Sequence, residues 1–368
     1  MKNKILSIII ICVVLLLDLI FIFSKEKDYS SLENRYLSKI PQFKIDHVWD
    51  GRFMNNFTNY VKDQFPFRDF FMGIKTNFEK MTLKTKINDV YLGKDNYLID
   101  NYNSIKNKDK LIRIFNDFND NNKINLNLVL VPTSISFNED KLPNFSNYSN
   151  QLEDINYIYK NISFNNIDLF EDLNSNNKNE DMFYHLDHHW TTDGAFIAYK
   201  NIISKLGYNA LEKNNFNVKT VSNDFYGTLY SKTNDYTRKP DSIKIYEYNN
   251  NLNVYYVDDN KNINSLYEFD YLNKKDKYSL FLDNNHSLIV ITNNNIDSNN
   301  ELVVIKDSFA NSLVPFLANH YKKVHVIDPR YYMENISKYI SDNPNIKDGI
   351  ILYNINTLED DLGVYRIK

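Results

Sequence analysis

The chain has 368 residues, a formal net charge of −4 and a hydrophobic share of 43%. The near-balance of charge gives no argument for nucleic acid or another polyanion as a partner. The single cysteine, Cys12, excludes a disulfide within the chain and a cysteine-based zinc site. Length and apolar content suit one elaborated α/β domain behind an N-terminal anchor.

The first predicted element is a membrane-spanning helix. Ile5 to Phe23 is a 19-residue apolar run interrupted only by Ser7 and Asp18, and that length can cross a bilayer. No small-x-small cleavage site follows it, so we expect an uncleaved signal anchor over residues 1–24 with the rest of the chain outside the cell membrane. An acid is costly inside a membrane, so Asp18 is expected to face a partner membrane protein or the outer interface.

A stalk and helices are expected over residues 25–85, before a main domain over residues 86–368. Residues 25 to about 45 are polar with little periodicity, which suits a stalk. Apolar residues then recur at helical spacing from Trp49 to Lys84, and Pro66 divides that stretch into two helices.

The main domain is predicted to begin with a hairpin at Val90–Ile99, a helix at Lys108–Phe118 and a buried strand at Leu126–Val131. Ser134 follows that strand after Pro132. Ligand-contacting residues collect at the carboxyl ends of strands in open α/β sheets, so Ser134 is one candidate nucleophile. A helix at Leu152–Lys160 and a short strand at Ile167–Phe170 are expected next.

Acid and imidazole are concentrated in the stretch HLDHHWTTDG, from His185 to Gly194. In an extended segment, residues i and i+2 point to the same side. Asp187 and His189 would therefore face one pocket, and His188 would face away from it. The carboxylate would orient one imidazole nitrogen and leave the other free, which is the orienting half of a catalytic triad.

Two other interpretations of these histidines stay open. His185 and His189 are spaced i, i+4 and would share one helical face as metal ligands. The residue after His185 is a leucine, however, and not the glutamate of a His-Glu-x-x-His site. Thr191 or Thr192 is a natural N-cap, so the next helix is expected to begin too late for that face, and we expect no metal. The other alternative is a purely structural role in a turn.

Residues 210–285 contain alternating runs, among them Ser242–Glu247 and Asn253–Val257, that predict β-hairpins inserted into the α/β core. Four core strands are then predicted at Leu288–Thr292, Leu302–Ile305, Lys323–Ile327 and Ile350–Tyr353.

The favoured nucleophile is Ser308, which follows the buried strand Leu302–Ile305. A serine at the carboxyl end of such a strand stands on a turn above the sheet. With Ser308 as nucleophile, His189 would be the general base and Asp187 would fix its tautomer.

Asp187-His188-His189-Trp190 resembles the signature of the DHHW family. Asp-x-His-Trp followed later by Asp-Ser-Phe resembles the alginate O-acetyltransferase group of SGNH-like hydrolases. The resemblance extends through Glu33-Asn34-Arg35, Asp63–Arg68, Val90–Asp100 and Asp328-Pro329-Arg330. It implies an SGNH-hydrolase-like three-layer α/β sandwich in circularly permuted order, because the serine follows the aspartate and histidine here. The chain departs from Gly-Asp-Ser by having Lys306 in place of the glycine.

The resemblance also implies a function: an extracytoplasmic, membrane-anchored O-acyltransferase that acetylates a surface polysaccharide or cell-wall polymer through an acyl-enzyme. A multi-pass membrane acyltransferase is the candidate partner, and no cofactor is expected. The alternatives are a carbohydrate O-acetyl esterase with the same triad and a non-catalytic, membrane-anchored interaction protein.

Such chemistry needs donors for the oxyanion of the tetrahedral intermediate. The backbone N–H of Ser308 is the natural first donor. In the superfamily other donors follow other strands, which points to Arg330, Asn354 and Asn356 as oxyanion or substrate contacts. Trp190, beside the acid–imidazole pair, is a further expected substrate contact.

Overall fold

The computed structural model describes residues 2–30 and 35–367, which form two compact units. The first comprises residues 2–30, residues 35–87 and Tyr230–Thr237, and the second comprises Asn88–Leu229 and residues 238–367. Glu33 and Asn34, part of one motif of the resemblance, lie outside the described residues.

Helices and strands are labelled in chain order. The α-helices are α1 Lys2–Phe23, α2 Ile45–Trp49, α3 Arg52–Gln64, α4 Arg68–Met81, α5 Lys108–Asn121, α6 Gln151–Asn161, α7 Phe170–Asn177, α8 Thr192–Lys205, α9 Thr228–Thr233, α10 Val314–Leu317 and α11 Ile336–Asp342. The β-strands are β1 Tyr29–Ser30, β2 Arg35–Tyr36, β3 Lys86–Ile87, β4 Val90–Leu92, β5 Leu98–Asp100, β6 Asn125–Val131, β7 Asn165–Asn166, β8 Asn217–Phe225, β9 Asp241–Glu247, β10 Leu252–Tyr256, β11 Lys261–Ile263, β12 Leu288–Asn293, β13 Glu301–Lys306, β14 Lys323–Ile327 and β15 Ile346–Asn354.

The first unit begins with a helix that is long and apolar enough to cross a membrane. The candidate span is Lys4–Phe23, and none of it is buried against other parts of the chain. Helices α3 and α4 follow on either side of Pro66, as predicted. One face of α4 packs within the unit, where Gly73 meets the ring of Tyr236 and the Thr76 hydroxyl donates to the Thr233 carbonyl at 2.7 Å.

The second unit is built on an eight-stranded sheet in the order β11-β10-β12-β14-β13-β15-β6-β7. The strands from β14 to β7 run parallel, and β10, β11 and β12 add an antiparallel edge. The four core strands predicted after residue 285 are all present. Asn253–Val257 forms a hairpin, as predicted, because β10 pairs with β11, but this hairpin extends the large sheet and is not inserted outside it. Strand β9 pairs with β8 in a separate two-stranded sheet.

The strand predicted at Ile167–Phe170 is wrong. Strand β7 is shorter and earlier, and α7 begins at Phe170. The Asp168 carboxylate accepts a hydrogen bond from the Phe170 N–H at 2.9 Å. A side chain that satisfies a free N–H two residues ahead starts a helix and ends an extended segment.

Apolar residues cover both faces of the large sheet. Val304 of β13 faces a core that includes Phe196 of α8 and Phe316 of α10. Its neighbour Val303 faces a second core, which includes Phe115 of α5 and Ile158 of α6. The alternation along β13 is the period of two that a strand buried on both faces requires.

The parallel strands bring four loops to one edge of the sheet. Ser308 follows β13, Asp328 follows β14, Asn354 ends β15 and Thr133 follows β6. In an open α/β sheet this carboxyl edge is where ligands bind. Segments that are more than two hundred residues apart in sequence therefore meet there.

Candidate active site

The segment from Tyr184 to Trp190, called the DHHW loop below, is a tight loop. The Tyr184 N–H donates to the His189 carbonyl at 3.2 Å, which brings the two ends of the loop together. The Asp241 carboxylate accepts hydrogen bonds from the N–H groups of His185 and Leu186 at 3.1 and 2.8 Å. Burial raises the pKa of Asp241 to about 6. The loop is thus held by one carboxylate of a neighbouring strand.

The loop brings together the three residues predicted as a triad. His189 Nδ1 lies 2.6 Å from Asp187 Oδ1, and His189 Nε2 lies 2.8 Å from Ser308 Oγ. Asp187 and His189 are buried, and Ser308 is half-buried. The His189 N–H also donates to Asp187 Oδ1 at 3.0 Å, which fixes the pair locally. A carboxylate on one ring nitrogen and a hydroxyl on the other is the arrangement by which an imidazole activates a serine.

The second oxygen of Asp187 is held by a segment that sequence analysis missed. The Thr228 N–H donates to Asp187 Oδ2 at 2.7 Å. A Cβ at Gly227 would lie 2.3 Å from the Asp187 Cβ, so only glycine permits this approach. Burial alone raises the pKa of Asp187, but the neighbouring imidazoles of His188 and His189, with the hydrogen bonds from His189 and Thr228, outweigh it and hold that pKa well below its usual range. The only signal in the sequence is a glycine in a chain that has 8.

The turn that carries Ser308 is fixed by the preceding aspartate. Asp307 Oδ1 accepts from the Phe309 N–H at 2.9 Å, and its Oδ2 accepts from both the backbone N–H and the side-chain amide of Asn354 at 2.7 Å. Burial raises the pKa of Asp307. Among the described residues, the Ser308 N–H donates to no acceptor. It is therefore free to serve as an oxyanion donor.

Lys306, at the position where the resemblance leads us to expect a glycine, lies inside the protein. Its Nζ lies 2.8 Å from the side-chain oxygens of both Asn285 and Asn311 and 3.3 Å from Asp328 Oδ2. Burial lowers the pKa of this lysine. The lysine remains in the β13 strand, so the turn does not depend on a glycine at this position.

Trp190 does not contact the cavity, contrary to the prediction that it binds substrate. Its ring is 0% exposed, and its Nε1–H donates to the Phe309 carbonyl and the Ser312 hydroxyl, both at 2.9 Å. A large apolar ring with its one donor satisfied is stable in a core. Trp190 therefore holds the turn that follows Ser308.

Tyr278 is the second residue that the sequence did not reveal. Its ring lies parallel to the His189 imidazole, with 3.7 Å between centroids and 10° between planes. Its hydroxyl lies 3.1 Å from the Ser308 carbonyl and 3.1 Å from the Ser312 hydroxyl. Tyr278 thus contacts His189 and the turn of Ser308 together. A tyrosine in a chain with 28 of them carries no signal of this role.

The prediction that His188 faces away from the site is wrong. Its ring centroid lies 3.9 Å from that of His189, and it lines the same cavity as Ser308. The reason is that the DHHW loop is bent, so the alternation of an extended strand does not apply.

Metal-ligand atoms of Asp187, His188 and His189 lie within 4.8 Å of one another. Both ring nitrogens of His189, however, are already bonded to Asp187 and Ser308. The helical pair of His185 and His189 does not form either, because α8 begins at Thr192. The cluster therefore suits proton transfer better than metal binding.

Ser308 opens onto a cavity of about 460 Å³ lined mostly by polar residues. Arg330 lies in its wall, held by two bonds to Asp328 at 2.8 and 2.6 Å. The Asn354 amide donates to Asp307 and Thr357, so no hydrogen of that amide is left for an oxyanion, contrary to one prediction.

Two other predicted candidates at this edge, Asn356 and Ser134, differ in whether their side chains are already hydrogen-bonded. Asn356 lines a second cavity of about 20 Å³ beside His188, and its amide bonds to none of the described residues. Ser134, the rival nucleophile, lines the same small cavity, but its hydroxyl accepts from the Asn138 amide at 3.0 Å. Among the described residues, only Ser308 offers a hydroxyl to His189.

Comparison with known proteins gives the family and the fold. A protein-family model described as "DHHW protein" matches residues 84–327, well over half of the chain. No curated protein sequence gave a match. A DHHW family protein from Eubacterium siraeum is 22% identical, with a TM-score of 0.67 over 77% of this chain and 96% of its own. Bacillus cereus PatB1, in a structure with a sulfonyl adduct, is 23% identical, with a TM-score of 0.64 over 76% of this chain and 98% of its own.

The O-acetyltransferase domain of Pseudomonas putida AlgJ is a more distant neighbour. It is 14% identical, with a TM-score of 0.47 over 73% of this chain and 92% of its own. At that distance it carries no argument, whereas the first two share a mixed α/β fold with this chain. The extent of the family match and the signature Asp187-His188-His189-Trp190 agree: the chain belongs to the DHHW family.

Proposed function

We propose that the chain is a membrane-anchored serine O-acyltransferase that transfers an acyl group, most simply acetyl, to a hydroxyl of a surface polysaccharide or cell-wall polymer. The observation that carries the proposal is the continuous line from Asp187 through His189 to Ser308, with separations of 2.6 and 2.8 Å, at the mouth of a cavity. That geometry supports acyl transfer through a covalent acyl-serine.

In the first half-reaction, Ser308 Oγ attacks the carbonyl carbon of an acyl donor while its proton passes to His189 Nε2. Asp187 stabilises the imidazolium and keeps Nδ1 protonated. The negative charge on the carbonyl oxygen is met by the free N–H of Ser308 and, we propose, by Asn356 or by the charge of Arg330. Collapse of the intermediate expels the leaving group, which takes the proton from His189.

In the second half-reaction, an acceptor hydroxyl gives its proton to His189 Nε2 and attacks the acyl carbon. The resulting intermediate collapses by breaking the bond to Ser308 Oγ, which takes the proton back from His189, so that the serine and the neutral imidazole are restored. The cavity wall supports a polar acceptor. Its hydrogen-bonding side chains include those of Arg330, Thr357, Asp360 and Arg366, and an apolar residue such as Leu362 is the exception. Holding the acceptor hydroxyl near the acyl carbon is what allows it to compete with water.

The proposal also includes the fold superfamily of the chain and its domain boundaries. We infer an SGNH-like domain over residues 86–368 in circularly permuted order. Of the β-rich segment predicted as an insertion at about 210–285, only the β8–β9 pair lies outside the large sheet. The SGNH-like domain follows an anchor at residues 1–24 and an N-terminal segment at 25–85. An acyl group arriving across the membrane through a multi-pass partner would meet Ser308 on the outer side.

The proposal predicts that the second unit lies outside the cell membrane. Protease added to intact cells without a wall should digest it, because one apolar helix with lysines at its amino end favours that orientation. Protection of this unit while a known surface protein is cut would reverse the orientation.

We predict that a sulfonyl fluoride probe labels the purified chain at Ser308, and that Ser308→Ala abolishes both labelling and ester turnover. His189→Ala and Asp187→Asn should each lower turnover by about 10⁴-fold or more, because triad members act as a unit. Labelling is read by peptide mass spectrometry.

The matched control is Ser134→Ala, which removes the rival hydroxyl and should leave labelling intact. Loss of labelling in Ser134→Ala alone, or turnover that a chelator abolishes and added metal restores, would contradict the triad. Failure of any serine to label would favour the non-catalytic alternative.

Gly227→Ala is predicted to reduce turnover about 100-fold, because the added methyl displaces Asp187 or the backbone N–H that binds it. Thr228→Ala is the matched control, since it keeps that N–H and should change turnover little. Circular dichroism establishes that both variants are folded. Equal activities in two folded variants would show that the close approach to Asp187 is not needed.

Transfer is separated from hydrolysis by supplying an acceptor. The chain is incubated with an activated acetyl ester and oligosaccharide fragments, and products are identified by mass spectrometry. We expect acetylated oligosaccharide that increases with acceptor concentration and is lost in Ser308→Ala. Free acetate alone, at a rate independent of acceptor, would identify an esterase.

A further inference from the structure

Helix α3 carries aromatic residues on one face and amides on the other. Phe53, Phe57 and Tyr60 recur at spacings of four and three and share one side of the helix. Asn55 and Asn59 lie on the opposite side. Phe57 is 36% exposed, so this apolar face is not fully covered by the first unit. An exposed aromatic face on an amphipathic helix needs a partner.

The aromatic face continues without a break to the membrane-spanning helix. Ring centroids are 5.5 Å apart from Phe43 to Phe53, 6.0 Å from Phe53 to Phe57, 6.1 Å from Phe57 to Tyr60 and 5.8 Å from Tyr60 to Phe21. We call these five residues the aromatic row. Phe21 lies in the last turn of α1. One end of the row is therefore at the level where the chain leaves the membrane.

The backbone fixes α3 at the same level. Gln64, the last residue of α3, accepts from the Lys27 N–H at 2.9 Å and donates to the Lys27 carbonyl at 2.9 Å. Lys27 is only four residues beyond Phe23, and four extended residues reach about 14 Å at most. The carboxyl end of α3 thus cannot leave the zone of the lipid headgroups.

The distribution of charge along the chain also favours a position of this segment at the membrane surface. Residues 25–87 contain twelve lysines and arginines against eight aspartates and glutamates, whereas residues 88–368 contain twenty-nine against thirty-eight. The segment next to the membrane is thus positive in a chain whose net charge is negative. Anionic lipid headgroups attract such a segment within about a Debye length.

We propose that the aromatic row and Trp49 insert into the headgroup layer beside the outer end of α1, so that α2 and α3 lie on the bilayer as an amphipathic support. Trp49, at the end of α2, is 86% exposed. Tryptophan and tyrosine favour this layer because their rings are apolar and their polar groups stay hydrated. The inference is independent of the reaction at Ser308.

The test uses the full chain in lipid nanodiscs that contain anionic lipid, with one chain per disc. Both faces of a disc are open to reagents, and a second copy is absent. In a Cys12→Ala background, Phe57→Cys is compared with the matched control Asn59→Cys, which is exposed on the opposite face of α3. A water-soluble maleimide should label Phe57→Cys at least about tenfold more slowly than Asn59→Cys, because acyl chains exclude it.

Both variants should label equally fast after denaturation in detergent, which establishes that the thiols are intact. Equal rates in the discs would overturn the proposal. Protection of Phe57→Cys that develops only when several chains share a vesicle would also overturn it and identify a second copy as the partner.

A second measurement avoids the cysteine substitutions. The chain has two tryptophans, and Trp190 is fully buried, so lipid-borne quenchers reach only Trp49. The fluorescence of Trp49 is the emission of the native chain minus that of Trp49→Phe. Lipids brominated near the carbonyl should reduce this difference by about half or more. Quenching of that difference by aqueous iodide and not by brominated lipid would place Trp49 in water and refute the insertion.

Discussion

The site depends on one imidazole that is bonded on both sides. His189 connects a carboxylate two residues away with a hydroxyl 119 residues away. The first bond is local and follows from the shape of the DHHW loop. The second requires the loop and the β13 turn to be held in register, and the contacts around them serve that purpose. Trp190 bonds to the Phe309 carbonyl and to the Ser312 hydroxyl. Tyr278 bonds to the Ser308 carbonyl and to the same Ser312 hydroxyl, so both aromatic residues meet at one serine.

Buried carboxylates, more than buried apolar groups, set the geometry of the loops at the carboxyl edge. Asp241 holds the start of the DHHW loop, Asp307 joins β13 to the end of β15, and Asp328 joins Arg330 to Lys306. A buried carboxylate is costly unless its oxygens are bonded, and each of these accepts at least two hydrogen bonds. Such groups tolerate few alternative loop positions, so they specify geometry that packing alone leaves loose.

The sequence predicted the regular part of the fold and the chemical core of the site. Long periodic segments gave the strands around Ser308 and the helix capped by Thr191, because buried strands and capped helices carry strong local patterns. The pairing of Asp187, His189 and Ser308 was predictable from residue type and family resemblance. The orientation of His188 was not, because it depends on a bend that tertiary hydrogen bonds impose.

Contacts that depend on backbone groups or on common residues were out of reach. Thr228 acts through its N–H and Gly227 through the absence of a side chain, so neither has a recognisable pattern. Tyr278 and Trp190 were hidden for the opposite reason, since aromatic residues occur throughout the chain and most of them pack in cores. Trp190 is fully buried in the structure, and its residue type and position in the sequence do not indicate this.

The double use of one oxygen in Asp187 has a consequence for how this sequence can vary. Oδ1 accepts both the backbone N–H and the ring Nδ1–H of His189, which closes two small hydrogen-bonded rings across two residues. A glutamate would lengthen both rings by one carbon, and the space on the side of Gly227 is already filled. Aspartate and glutamate carry the same carboxylate, but here the geometry excludes the exchange. A substitution of Asp187 would therefore require compensating substitutions at both positions 189 and 227, so these three positions change together or stay the same.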